Sequence, residues 1–538
     1  MGKEHIFKAF KREEMERTPW VPFVGCHGGR LIGVNAEDYL KSSTHMVNGL
    51  SAAIERYKPD GIPVVFDLQI EAEALGCELK WSESAPPAVI SHPMVNGISL
   101  QQLSIPKKED GRIPEVIRTT QILKEKYADV ALYGLITGPF TLGLHLLGTE
   151  IFVRMMEDPE MVHELMQFTA QVSDALAGYY IEAGCDVIAV VDPMTSQIDP
   201  VSFETYVTPY VSKTFQFIKS EKAYSSFFVC GHAQQNIEEM CKCKPDNISI
   251  DENIPLDYVR EMSLKYNLSF GGNLKLTLVL LLGSKEDAQK EAVECLDIGG
   301  KEGFILSPGC DLPMDTPPEN LEAIVEVVYD IYARDVVRTM DIEDTSLDLL
   351  NMKDYGQTDK VIVDIITLDS ESCAPCQYMV EAVKKIAPHF EGIVEWREHP
   401  IKKMESISFM SSLMVKNIPT ICIDGKISFV SKIPPKNDLI AAIQKRINEK
   451  LKLKIKSKKG EILILGTSIN ECIQAEKNVM TAIHETGVDL EITTSTDEKI
   501  LASYGILNTP AIIVAEYKLK TQGEVPDVKI IKEWIKDI

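Results

Sequence analysis

Cys230 and His232 stand at the tip of a short apolar run, Phe227-Phe228-Val229, within the stretch S-S-F-F-V-C-G-H-A at 225–233. A run of this kind reads as a buried strand that delivers a thiol and an imidazole where it leaves the core. Two further runs end in the same manner. Ile248–Asp251 leads into Glu252, and Phe304-Ile305-Leu306 leads through Ser307-Pro308-Gly309 to Cys310. Thiol, imidazole and carboxylate together are the donors that zinc prefers, and a thiol bound to zinc is a nucleophile at neutral pH. A different thiol chemistry lies downstream in Cys373-Ala374-Pro375-Cys376. A Cys-x-x-Cys pair opening a helix favours thiolate on its first sulfur, so Cys373 is expected to attack and Cys376 to resolve. A half zinc site or a pair of plain buried thiols is the alternative there.

Something must hold these groups in place. Between residues 1 and 340, short β-type runs alternate with longer segments of helical apolar spacing, the rhythm of βα units. Candidate strands fall at Val21–Val24, Ile62–Phe66, Ala131–Ile136, Val187–Val191, Phe227–Cys230, Ile248–Asp251, Leu268–Gly272 and Gly303–Leu306. Eight strands in roughly 300 residues suit a (β/α)8 TIM barrel, whose functional groups gather at the carboxyl ends of the strands. Those ends carry Cys26-His27, Asp67, Asp192, Cys230-Gly231-His232, Asp251-Glu252, Asn273 and Cys310. His27, Asp67, Asp192 and Asn273 are therefore expected to shape the mouth or orient a substrate, against the alternative that each caps a helix or braces a loop. Cys241 and Cys243 read as exposed thiols in a connection, and Cys77, Cys185, Cys295 and Cys422 as core.

Composition narrows the partners. At 538 residues the chain is expected to hold about two to four domains. A net charge of −24 argues against nucleic acid, whose phosphates are bound by clustered Lys and Arg. The beginning carries no apolar signal segment, and no run approaches the ~18 apolar residues of a membrane span, so a cytoplasmic, non-membrane protein is expected. Twelve cysteines in such a chain point to thiol or metal chemistry under reducing conditions.

Residues 341–358 are acidic and poor in β-type residues, and read as a linker. Two units of similar layout follow at 359–450 and 459–538, each ordered strand, turn, helix, strand, helix, proline-containing turn, strand, a weak internal duplication. Val361–Ile447, with Cys373-Ala374-Pro375-Cys376 and Ile418-Pro419, resembles thioredoxin; the resemblance implies that Pro419 lies in the cis-proline loop facing the cysteine pair and binds a partner's backbone. Gly460–Ile538 resembles the small archaeal-type thioredoxin-like proteins, with Ile469 where the first cysteine would fall and only Cys472 retained. That unit is read as a redox-dead docking or dimerisation fold, with a one-cysteine carrier as the alternative.

The first 340 residues resemble the uroporphyrinogen decarboxylase superfamily through Arg17-Thr18-Pro19-Trp20-Val21-Pro22, Gly138-Pro139-Phe140-Thr141-Leu142, Asp192-Pro193 and the stretch G-F-I-L-S-P-G-C-D-L-P-M-D-T-P-P-E-N at 303–320. The last stretch is most similar to the methylcobamide:thiol branch, the coenzyme M-type methyltransferases. The arginine-rich signature that grips porphyrinogen carboxylates is replaced by Phe23-Val24-Gly25-Cys26-His27-Gly28-Gly29-Arg30, which argues against decarboxylation. The resemblance implies zinc held by Cys230, Cys310 and Glu252. The family's histidine position is Phe228 here, and His232 is expected to serve instead, the competing reading being a metal-free barrel with two unpaired thiols.

The expected activity is therefore zinc-dependent methyl transfer between a methylcobamide corrinoid, supplied by a partner corrinoid protein, and a small thiol. A fused thiol–disulfide module would keep Cys230 and Cys310 reduced, service a disulfide-forming substrate, or reduce a thioredoxin-type redox partner. The alternative is a thiol–disulfide oxidoreductase whose barrel only recognises a corrinoid protein or tetrapyrrole.

Overall fold

The computed structural model describes residues 2–339, 350–352, 355, 360–371, 373–457, 461–488, 490–504, 506–514 and 518–536, so most of the expected linker at 341–358 lies outside the described residues. The chain forms two compact units, residues 1–436 and 437–538.

The first unit is built on a seven-stranded parallel sheet: β1 (Gly61–Pro63), β2 (Ala131–Thr137), β3 (Val187–Val191), β4 (Tyr224–Val229), β5 (Asn247–Ile250), β6 (Ser269–Leu274) and β7 (Phe304–Pro308), paired in that order. The expected first strand at Val21–Val24 contracts to a single parallel bridge at Trp20. Val21 N–H donates to Leu306 O, Leu306 N–H to Pro19 O, and Asp60 N–H to Trp20 O, so this segment still joins β7 to β1 and closes the ring. Pro19 and Pro22 have no N–H to give, which keeps the ladder from growing. The helices, including Pro159–Ala183 and Lys285–Gly299, wrap the outside.

Strand alternation sorts the core into two layers. Phe227 on β4 faces outward against Phe203 and Phe215, whereas Phe228 faces the lumen, with ring centroids 5.4 Å from Phe23 and 6.0 Å from Phe66. On β7, Phe304 and Leu306 pack outward while Ile305 joins Phe228 inside. Phe228 thus plugs the barrel directly beneath the residue two positions on, Cys230.

The same unit carries a second sheet of β8 (Val361–Thr367), β9 (Val394–Pro400), β10 (Thr420–Ile423) and β11 (Lys426–Val430), in the order β9-β8-β10-β11. β8 pairs with β9 in parallel and with β10 antiparallel. The second unit repeats this topology with β12 (Glu461–Leu465), β13 (Glu491–Ser495), β14 (Ala511–Val514) and β15 (Lys518–Gln522), in the order β13-β12-β14-β15. Ile418–Pro419 and Thr509–Pro510, each just before the corresponding antiparallel strand, are both cis.

Candidate active site

Cys230 follows β4 on its lumen-facing register, and Cys310 follows β7. The two sulfurs, 80 residues apart in sequence, lie 2.8 Å from one another. Three loops hold them there. Asp251 Oδ2 accepts from Gly231 N–H at 2.9 Å, tying the loop after β5 to the one after β4. Asn273 Nδ2 donates to Asp251 O at 3.1 Å and Ile254 O at 2.7 Å. Gly309 lets the Cys310 loop pass against the Glu252 backbone, because a Cβ there would meet Glu252 N at 2.6 Å.

Above the pair is a cavity of about 110 Å³. From the barrel it is bordered by Cys230, Cys310, Cys26, Glu252, Asp251 and Asp311; from the second sheet and its connections come Cys373, Cys376, Lys402 and Pro419. Cys373 caps the helix Ala374–Ile386 and is half-buried, with Cys376 fully buried behind it. The helix is anchored on the barrel. Tyr378 is buried within the barrel's core and stacks on His92 at 6.0 Å. Gln377 Nε2 donates to Val89 O at 2.6 Å. Gln197, after β3, donates to Ser431 O at 3.0 Å and accepts from Ile433 N–H at 2.9 Å.

The site is electrically unusual. Burial, reinforced by Asp251, pushes Glu252 up to about 8. Burial likewise raises Asp251 and holds Asp311 well above the usual carboxylate range, and Asp311 Oδ1 has no hydrogen-bond partner. The hydrogen bond to Cys310 and burial drive the Cys230 thiol far up. Cys310 also sits above its ordinary value: the bond with Cys230 is the largest single influence and pulls it down, but burial together with Asp251 and Asp311 outweighs it. Two thiols and three acids that resist ionisation are a donor set whose charging a divalent cation would favour, since a bound metal reverses the local pKa order. Among the described residues, however, no group of three or more His, Cys, Asp or Glu side chains is arranged to hold an ion.

Several sequence expectations change here. His232 is half-buried and does not border the cavity, so the four-membered ligand set is not assembled. Gly231 follows Cys230 at φ +84°, and His232 beyond it lies near enough to Asp251 for its charge to pull that carboxyl down. Glu252 does border the cavity, but its carboxylate accepts from Leu276 N–H. His27 is buried behind the mouth between Tyr57 OH (2.8 Å) and Met314 O (3.0 Å), and burial lowers it to about 4. Asp67 is consumed by Arg112 at 2.5 Å. Asp192 caps the helix Pro139–Leu147 through Thr141 N–H at 2.7 Å and Phe140 N–H at 3.2 Å. Asn273 spends its amide N–H groups bracing the Asp251 loop. Cys241 and Cys243 are buried, not exposed, because the short helix Ile237–Lys242 packs them inward. Cys26, named above at a strand end, borders the cavity, as do Asp311 and Lys402, to which the sequence reading did not point. Asp311 directly follows Cys310 and was within reach of a sequence reading. Lys402, which pairs with Asp369 at 2.5 Å, carries no local signal.

Comparison with known proteins supplies the family. The uroporphyrinogen decarboxylase (URO-D) profile matches residues 1–331, and a thioredoxin domain profile matches 460–536. Methylcobamide:CoM methyltransferase MtbA from Methanosarcina acetivorans is 28% identical over 340 residues, spanning 60% of this chain and 96% of its own. Methylcobamide:CoM methyltransferase MtaA from Methanosarcina barkeri is 27% identical over 287 residues, 52% of this chain and 84% of its own. A uroporphyrinogen decarboxylase from Trichodesmium erythraeum is 25% identical over 284 residues, 51% and 79%. Among solved structures, a methyltransferase from Methanosarcina mazei superposes with a TM-score of 0.57 at 23% identity, covering 63% of this chain and 99% of its own. With its closed parallel barrel and the profile match over 1–331, this chain belongs to the uroporphyrinogen decarboxylase (URO-D) family.

Proposed function

We propose that the barrel transfers a methyl group between a corrinoid carried by a partner protein and a small thiol, at the mouth where Cys230 and Cys310 meet. The observation that carries this reading is the convergence of two sulfurs from different strand ends at 2.8 Å, at the carboxyl end of the barrel. The likeness to methylcobamide:CoM methyltransferases supports it. In this reading zinc would be held by Cys230 and Cys310, with Glu252 as the neighbouring carboxylate. When bound, zinc supplies the lowered pKa that lets the substrate thiol enter as thiolate. The chain's own residues do the rest. Asp251 and Asn273 fix the loops that carry the sulfurs, and the Phe228 plug keeps water from reaching them through the lumen. With a methyl-corrinoid docked, the substrate sulfur would attack the methyl carbon, the carbon–cobalt bond would break with its electron pair left on the partner's corrinoid, and the thiol proton would go to solvent.

A cavity of about 110 Å³ admits a small thiol but not a macrocycle, which needs a pocket of several hundred Å³. Methyl transfer in this reading therefore requires the Ala374–Ile386 helix and its sheet to leave the mouth. Metal analysis of the purified chain, with spectroscopic titration of methylcobalamin against coenzyme M and other thiols, tests the proposal. Stoichiometric zinc, lost in Cys230→Ala and Cys310→Ala, together with thiol-dependent demethylation, is the expected result; a metal-free chain that leaves methylcobalamin intact sinks it. The second reading, a thiol–disulfide oxidoreductase whose barrel only recognises a corrinoid protein, is favoured by one observation: Cys373 and Cys376 border the same cavity.

A further inference from the structure

Five cysteines border one small space, and apart from Cys26 they come as two pairs from two folds. Cys230 and Cys310 come from β4 and β7 of the barrel; Cys373 and Cys376 come from the opening of the helix Ala374–Ile386. The barrel pair, at 2.8 Å, needs only a small approach to reach the ~2.05 Å of a disulfide. Cys373 is partly open to the cavity while Cys376 is buried behind it, the disposition of an attacking and a resolving thiol. Cys373 also lies near enough to Cys230 for its charge to raise that thiol. Tyr378 and Gln377 pin the helix at the mouth and Gln197 holds the 431–433 segment beside it, so the two pairs meet without a diffusional encounter.

We propose that Cys373 and Cys376 form the built-in reductant of the Cys230/Cys310 pair, an intramolecular dithiol–disulfide exchange that restores the barrel sulfurs after oxidation. The inference rests on the reading of those sulfurs as the working pair of the site, and names how they are maintained. The balance is complete. A peroxide takes two electrons from Cys230 and Cys310, forming their disulfide and two waters. The Cys373 thiolate attacks one barrel sulfur; the Cys230–Cys310 bond breaks, and the displaced sulfur leaves as thiolate and takes up the proton Cys373 gave. Cys376 then loses its proton and attacks the Cys373 sulfur, breaking the mixed disulfide and releasing the second barrel sulfur, which accepts that proton. The barrel pair ends reduced and the Cys373–Cys376 pair oxidised. An external dithiol protein of the thioredoxin class resets it, becoming a disulfide itself.

The test uses the full chain, freed of reductant and treated with one equivalent of hydrogen peroxide, then quenched with N-ethylmaleimide and mapped by mass spectrometry of linked peptides. Native chain should end with a Cys373–Cys376 disulfide and alkylated Cys230 and Cys310. Cys376→Ser should trap a cross-link from Cys373 to Cys230 or Cys310 within one chain, independent of protein concentration. Cys373→Ser should accumulate the Cys230–Cys310 disulfide. The proposal is overturned if the barrel disulfide persists in native chain, if it never forms, or if Cys373 links only to a second chain. None of these readouts depends on methyl transfer. A chain inert toward methylcobalamin that still forms the cross-link would sink the proposed activity and leave the exchange standing.

Discussion

Removal of Gln197 should open the mouth. Its side chain is buried between the loop after β3 and the segment 431–433, donating to Ser431 O at 3.0 Å and accepting from Ile433 N–H at 2.9 Å. In Gln197→Ala both backbone groups lose their partners while the mouth is closed, but water serves them once it opens. At roughly 0.5–1.5 kcal/mol per hydrogen bond, the closed arrangement loses about 1–3 kcal/mol relative to the open one. With a tenfold change per ~1.4 kcal/mol, the open population rises by about 5- to 150-fold. The rate at which N-ethylmaleimide labels Cys230, followed peptide by peptide, should rise by that factor while the circular dichroism spectrum is unchanged. An unaltered rate in a folded variant would refute the reasoning, because Gln197 would then not hold the mouth shut. A native chain that labels as fast as the unfolded one would refute it too, since nothing would be closed.

Two further outcomes follow from the core and the charges. Phe228→Ala empties the lumen plug between Phe23 and Phe66 and should cost about 3–5 kcal/mol in denaturant unfolding; a loss under ~1 kcal/mol would mean the lumen collapses around the gap. Glu252, raised from 4.5 to about 8, holds its proton in the folded state across a range where the unfolded chain has lost it. The folded state thus binds more protons, and stability should fall as pH rises from about 4.5 to 8. Glu252→Gln, which keeps an acceptor for Leu276 N–H, should flatten that slope; unfolding free energies at pH 5 and pH 8 that differ as much as in the native chain would show the carboxyl is not buried as described.

Fold class, the barrel strands after the first, the two repeated C-terminal layouts and the candidacy of Cys230, Cys310, Cys373 and Cys376 for thiol chemistry were all legible in the chain. Apolar run length and its abrupt end in a polar residue are local properties, and a Cys-x-x-Cys at a helix opening carries its chemistry within four residues. Polar residues at the other strand ends misled for the same local reason. Asp67, Asp192, His27 and Asn273 look alike in sequence, yet each is taken by a partner outside its own stretch of chain: Arg112, Thr141, Met314 and, for Asn273, the Asp251 loop.

What the residues alone determined is which groups can do thiol chemistry and at which strand ends they leave the barrel. Only the folded chain decided which of them meet. The distance between Cys230 and Cys310, the absence of His232 from the cavity lining, and the arrival of Cys373 and Lys402 over the same cavity depend on loop paths and on one sheet seating against another. Those are sums of many weak contacts between distant segments, and no short stretch of sequence contains them.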